Sequence, residues 1–116
     1  MSNLRTAPNA TGIRIGPYQL TTATTTYTAL VSDQLILADA SGGGFTLTLP
    51  SAADAVQDQY TIKATSVAGG NVVVDGSGAE TIDGAATKTL GSLYALLVLA
   101  SDGTNWHIIG QLGTVT

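Results

Sequence analysis

The chain contains no cysteine among its 116 residues. Disulfide bonds, thiolate catalysis and metal sites with cysteine ligands are therefore excluded, and stability must come from packing and from subunit contacts. Charged residues make up only 10 % of the chain, far below the roughly 25 % of an ordinary soluble domain. A surface with so few lysines and glutamates is typical of a protein that works inside an assembly.

Long apolar segments are also missing. The longest apolar run covers about eight residues, whereas a membrane-spanning helix needs about 20. The polar residues that follow Met1 contain no apolar stretch of the kind found in a secretory signal. We therefore expect no membrane partner, and a soluble product made in the cytosol.

Positive charge is scarce and unevenly placed. The formal net charge is −4, and no basic stripe is present, so we expect no nucleic-acid partner. Residues 1–17 carry Arg5 and Arg14 and no acid, a charge of +2. The remainder has Lys63 and Lys88 against all eight acids, a charge of −6. A basic segment before an acidic body favours docking onto an acidic neighbour, although two solvated arginines would give the same pattern.

Residues 1–17 hold two of the three prolines and show no helical period. They predict an extended arm that precedes a single domain over residues 18–116. Within the arm, Ile13 and Ile15 flank Arg14, an alternation that suits strand addition onto a partner's sheet edge. A disordered leader is the alternative interpretation.

The chain does contain a succession of short apolar segments separated by glycine-rich and Asp-Gly turns. The segment 45–49 alternates apolar residues with threonine, and Pro50 ends it because proline cannot donate to a strand ladder. One patch, 51–58, is helix-like. About eight short strands with regular turn signals predict an all-β fold, an antiparallel β-sandwich or jelly-roll-like barrel. No strict internal repeat is visible.

The stretch 93–109 contains the only tryptophan and the only histidine, and it predicts two strands joined by a turn at Asp102 and Gly103. Its first strand is apolar on both faces, which indicates a strand covered on both sides. We expect one face to close the core and the other to meet another subunit. The expected core residues are Phe45, Leu47, Tyr60, Leu97 and Trp106. The expected interface residues are Tyr94, Leu96, Val98 and His107.

Catalytic patterns are weak. His107 is the only side chain expected to act as a base near neutral pH, and no nucleophile-elbow serine accompanies it. Asp75, Glu80 and Asp83 lie in turn contexts, and their spacing fits no metal or calcium loop. We therefore expect no enzyme activity, metal, cofactor or small-molecule substrate. A glycan-cleaving site built from these three acids is the remaining enzymatic alternative.

Three motifs together resemble a module that recurs in virion proteins of tailed bacteriophages. They are SGGGFTLTLP at 41–50, VDGSGAETIDG at 74–84 and SDGTNW at 101–106, and the resemblance covers about residues 33–109. Such modules occur in head decoration (cement) proteins, head fibres, tail fibres and baseplate proteins. The resemblance implies an all-β fold that is usually trimeric and has no catalytic activity.

Fibre proteins with such modules are usually much longer than this chain. We therefore predict a capsid decoration protein on the virion surface, a homotrimer that binds the major capsid protein. The residues expected to contact the partner are Arg5, Ile13, Arg14, Ile15 and Tyr18. The alternative is a short head-fibre or tail-fibre/baseplate component that recognises a host surface through the loops 39–44, 66–70 and 76–79.

Overall fold

The computed structural model describes residues 19–56 and 58–116. Within these ranges the chain forms strands and no helix, which confirms the all-β prediction. The strands are β1 (Leu20–Ala23), β2 (Tyr27–Thr28), β3 (Leu35–Asp39), β4 (Phe45–Thr48), β5 (Gln59–Ser66), β6 (Val72–Asp75), β7 (Thr87–Leu90), β8 (Leu96–Ser101) and β9 (Trp106–Leu112). The predicted arm lies outside the described residues.

The strands form two mixed sheets. One has five strands in the order β1-β3-β5-β8-β9, and the other has four in the order β2-β4-β6-β7. The first six strands alternate between the sheets and make three successive coils, β1–β2, β3–β4 and β5–β6. Strands of neighbouring coils pair in parallel, and only the β5–β8, β6–β7 and β8–β9 pairs are antiparallel.

The prediction of an antiparallel sheet is therefore wrong for four of the seven strand pairs. Apolar alternation and turn residues locate strands, but they carry no information about the direction of the neighbouring strand. At each of the first turns the chain crosses to the opposite sheet instead of reversing within its own sheet. The next strand in the same sheet then runs in the same direction as the one before it.

An alanine row shows that the coils are structurally equivalent. Ala23 pairs with Ala38, and Ala38 pairs with Ala64, so the three lie side by side across β1, β3 and β5. All three are buried. Leu20, Leu35 and Thr61 also lie side by side in this sheet. The second coil is longer than the first because it includes the loop 50–58, so equivalent residues are unequally spaced along the sequence. This unequal spacing hides the repeat in the sequence.

One core lies between the sheets. All five residues expected in it are buried: Tyr60, Leu97, Trp106 and Leu47 are fully inaccessible, and Phe45 is 8 % exposed. Inner positions of both sheets contribute to the same cluster, which is compatible with a β-sandwich.

The patch 51–58, expected to form at most a short helix or 3₁₀ segment, contains no α-helix in its described residues. Its amides bond three residues back, as in the bonds from Asp54 to Ser51 and from Ala55 to Ala52, which is the hydrogen-bond pattern of a 3₁₀ turn. The C-terminal residues are mostly exposed and still pair with the two sheets. Residues 110–112 extend β9, and Thr116 exchanges two backbone hydrogen bonds of 3.0 Å with Thr89.

The β8–β9 hairpin has the predicted turn but a shorter first strand. Asp102 Oδ1 accepts hydrogen bonds from the backbone N–H groups of Thr104 and Asn105, both at 2.8 Å, and Gly103 has a φ of 93°. The strand begins at Leu96 rather than Leu93. It cannot begin earlier because Tyr94 has a φ of 64°, outside the extended region.

Candidate interaction surfaces

The outward side of the five-stranded sheet carries apolar residues on both sides of β5, whose own outward residues between them include Thr61 and Lys63. Because Ile36, Leu97 and Leu99 point into the core, their strand neighbours point outward. We call these residues the outer apolar face: Leu20, Leu35, Leu37, Leu96, Val98 and Leu112. Leu20 and Leu112 are 54 % and 66 % exposed, and the other four are half-buried. No described segment covers this face.

Lys63 lies between Leu37 and Leu96 within the outer apolar face, and Tyr94 lies beside it where β8 begins. The Lys63 ammonium lies 5.2 Å from the centroid of the Tyr94 ring, within the range of a cation–π contact. Tyr94 is 57 % exposed and its backbone is held in the left-handed region. A left-handed conformation is costly for a bulky residue and often marks a functional position.

The four expected interface residues lie on this side of the molecule. Leu96 and Val98 are central to the outer apolar face, and Tyr94 stands at its border. His107 pairs with Ala100 in the β8–β9 ladder, at the far end of the same side. The sequence pattern of β8 did not indicate that β1, β3 and the end of β9 also contribute residues to the outer apolar face. The apolar run of β3, LILA, was the available signal.

The His107 side chain is held between two carboxylates. Its Nε2 lies 2.7 Å from Asp102 Oδ2, and its Nδ1 lies 3.8 Å from Asp83 Oδ1. Hydrogen bonds from the Asn105 backbone, from His107 and from the Thr104 backbone lower the pKa of Asp102 to about 2. All three side chains of the group are substantially exposed, so it links two loops at the surface.

The three acids considered for a glycan-cleaving site have structural surroundings. Glu80 accepts hydrogen bonds from the Ala52 backbone N–H at 3.0 and 3.2 Å and from Trp106 Nε1 at 3.3 Å. Asp83 accepts one from the Ile108 backbone N–H at 3.1 Å. Asp75 lies at the end of β6. Among the described residues no group of three potential metal-ligating side chains is found.

The three loops considered as binding tips do not share one end of the molecule. The loops 39–44 and 66–70 lie side by side: Gly69 N–H donates to the Ala40 carbonyl at 2.9 Å, and Ala40 N–H donates to the Ser66 carbonyl at 2.9 Å. The loop 76–79 follows β6 and lies at the opposite end, since β6 leads away from the 66–70 loop. Only two of the three loops can contact one ligand.

The outward side of the four-stranded sheet has a different character. Its outward positions are Thr28, Thr46, Thr48, Val73, Asp75, Thr87 and Thr89. Threonine suits a pleated surface in contact with water. The two sheets therefore present one polar and one apolar outer side.

The first coil holds a buried carboxylate. Asp33 is 5 % exposed and accepts hydrogen bonds from Thr21 Oγ1 and the Tyr27 hydroxyl, both at 2.7 Å, and from the Leu30 backbone N–H at 2.9 Å. Burial and the nearby Asp33 raise the pKa of Tyr27 above its usual value. The carboxylate thus ties β1, β2 and the following turn together.

No helix in the described part of the chain is long and apolar enough to cross a membrane. Comparisons with protein-family models and with curated proteins find no match to this chain.

Proposed function

We propose that this chain is a non-enzymatic structural protein of a tailed-phage virion, a capsid decoration protein that binds the outer shell as a trimer and stabilises it. The observation that carries the proposal is the outer apolar face. Its leucines and valine form two exposed groups on one side of the sheet, separated by Thr61 and Lys63 of β5, and exposed apolar patches often mark interaction sites. The resemblance to modules of phage virion proteins is the reason for proposing a virion as the assembly.

The size of the face suits a contact between copies. Covering its six aliphatic residues and Tyr94 would remove on the order of 400–700 Å² of surface per copy, close to the roughly 800 Å² per partner of a standard interface. The only described lysine on this side, Lys63, lies between Leu37 and Leu96, and its ammonium contacts the Tyr94 ring. A trimer requires that two different parts of this side meet, one on each neighbouring copy, because a surface that meets itself gives a two-fold dimer.

In this proposal residues 1–17 attach the protein to the shell. Arg5 and Arg14 bring a charge of +2 before a body of −6, so this segment favours an acidic partner surface. Ile13, Ile15 and Tyr18 would supply apolar contact area. Three such segments on one trimer bind with a high effective concentration, so each contact needs only modest affinity.

The oligomeric state tests the interface. We expect sedimentation velocity to give a trimer at micromolar concentrations, and Val98→Lys to convert it to a monomer with the same strand content. Val73→Lys is the matched control, because Val73 is a half-buried outward valine of the other sheet. A stable monomer of the unchanged chain, or equal effects of the two substitutions, would contradict the interface.

Shell binding tests the function. Labelled protein should occur in many copies over the head of intact virions. Deleting residues 1–17 should abolish binding to purified shells while the trimer remains folded. A few copies located only at the tail would favour the fibre or baseplate alternative, and full occupancy by the shortened chain would contradict the role of the segment.

A further inference from the structure

The first coil leaves one edge of the five-stranded sheet open. β1 is the last strand on its side of the sheet, and no described segment pairs with its outer edge. The Gln19 carbonyl accepts hydrogen bonds from the backbone N–H groups of Gln34 and Leu35, so it points toward β3. Backbone groups alternate in direction along a strand, so those of Leu20 and Thr22 point away from β3.

The opposite end of the molecule is closed. Ile109 is an extra residue in the β8–β9 ladder and forms a bulge, a device that interrupts pairing at an edge. On the outer edge of β9, Trp106 N–H donates to the Thr81 carbonyl at 2.8 Å. On the outer edge of β7, Thr116 and Thr89 are bonded to each other. Stacked coils need caps at both ends, and the described residues provide one at this end only.

We propose that residues 13–15 of a second copy of this chain add to β1 as an additional strand. The inference rests on the proposed function and deepens it, because it assigns residues 13–15 to a neighbouring copy and leaves the rest of the 1–17 segment, with Arg5, for the shell. Gln19, the first described residue, directly precedes β1, so residues 1–18 are attached to the body at this strand. Ile13 and Ile15 share one face of an extended strand, with Arg14 on the other, as a strand at the edge of a core requires.

Charge supports the same pairing. Residues 1–17, which include Arg14, carry a charge of +2. The body as a whole has a charge of −6. A basic strand of one copy and an acidic body of the next are therefore complementary.

The turn chemistry favours a second copy over the same chain. Gln19 has its N–H bonded to Gln34 Oε1 at 2.7 Å and its carbonyl bonded toward β3, so it belongs to the strand. A hairpin within one chain would have to reverse over Gly16, Pro17 and Tyr18. A three-residue reversal of the common type would place Pro17 where proline is disfavoured and Tyr18 in the left-handed region.

Amide hydrogen exchange of the full chain in solution, without shells, tests the inference. At concentrations where the protein is oligomeric, we expect the amides of Leu20 and Thr22 to exchange at least about tenfold more slowly than after dilution to the monomer. The amides of Thr21 and Ala23 face β3 and serve as the internal control, because they should stay protected at both concentrations. The double variant Ile13→Asp/Ile15→Asp should remove the protection of Leu20 and Thr22 only, whereas Leu4→Asp should not.

Three results would overturn the inference. Rapid exchange of Leu20 and Thr22 at every concentration would mean that the edge stays open. Protection that persists in the monomer would mean that the same chain covers it. Protection that depends on concentration but survives the double variant would assign the edge to another segment. None of these readouts involves a shell, so a failure of shell binding is recognised separately.

Discussion

The indole ring of Trp106 meets the phenol ring of Tyr60 edge to face, with centroids 5.4 Å apart and planes at 78°. Both rings are fully buried, and both polar tips have partners: the Tyr60 hydroxyl donates to the Val31 carbonyl at 2.6 Å, and Trp106 Nε1 donates to Glu80. The pair therefore links β5 and β9 to two loops that are distant in sequence. Removing either ring should therefore destabilise the whole domain.

Replacing this tryptophan tests that conclusion. We expect Trp106→Ala to lower the free energy of unfolding by about 3–5 kcal/mol, because it empties a large buried volume and leaves Glu80 without one donor. Urea denaturation followed by circular dichroism measures the change, since the variant has no tryptophan fluorescence. A loss below about 1 kcal/mol would show that the ring is not packed as described.

Glu80 should matter through its hydrogen bonds rather than through chemistry. Glu80→Ala removes the acceptor of Ala52 N–H and of the indole, and it should cost about 1–3 kcal/mol. Glu80→Gln keeps one acceptor oxygen and should cost less. The exposed Asp54 provides the control, because Asp54→Ala should change the urea midpoint little. Equal effects of the Glu80 and Asp54 alanine variants would contradict the structural role.

The alanine row should not accommodate a larger side chain without loss of stability. Ala38 is fully buried between Ala23 and Ala64, so Ala38→Val should destabilise the protein by about 1–3 kcal/mol through overpacking. Ala100→Val is the control, because Ala100 is half-buried on the outward side of β8. Thermal unfolding compares the two. A neutral Ala38→Val would mean that the coils have spare room at this position.

The β8–β9 turn should lose stability in acid. The pKa of Asp102 is about 2 in the folded chain, below the about 3.9 of an unperturbed aspartate. The charged form therefore stabilises the fold above about pH 4, and this contribution disappears as the pH falls through about 2. Carboxyl chemical shifts followed by NMR give the pKa directly. A midpoint near 3.9 would contradict the bonding of Asp102 to its turn and to His107.

Asp102→Asn separates the two effects at this turn. The asparagine side-chain oxygen can still accept from Thr104 and Asn105, so the turn should persist. The charge is lost, so the difference in stability between pH 5 and pH 2 should become smaller than in the unchanged chain. An identical acid profile in the variant would assign the acid sensitivity to other carboxylates.

The sequence alone determined the all-β class, most of the core and the turn at Asp102, although β8 begins at Leu96 and not at Leu93 as expected. Apolar alternation identifies the buried side of each strand, and so Leu47, Leu97 and Trp106 were expected inside. Glycine and aspartate identify turns because they accept backbone conformations that other residues avoid. The apolar character of both faces of β8 also pointed to a second surface.

The tertiary structure decided strand direction, the equivalence of the coils and the extent of the outer apolar face. Each depends on which sheet the chain enters after a turn, and no local pattern encodes this choice because parallel and antiparallel strands have the same side-chain period. Leu20 and Leu112 are distant in sequence and join one surface only because β1 and β9 flank the same sheet. The open edge of β1 likewise exists only because the coils stack in this order.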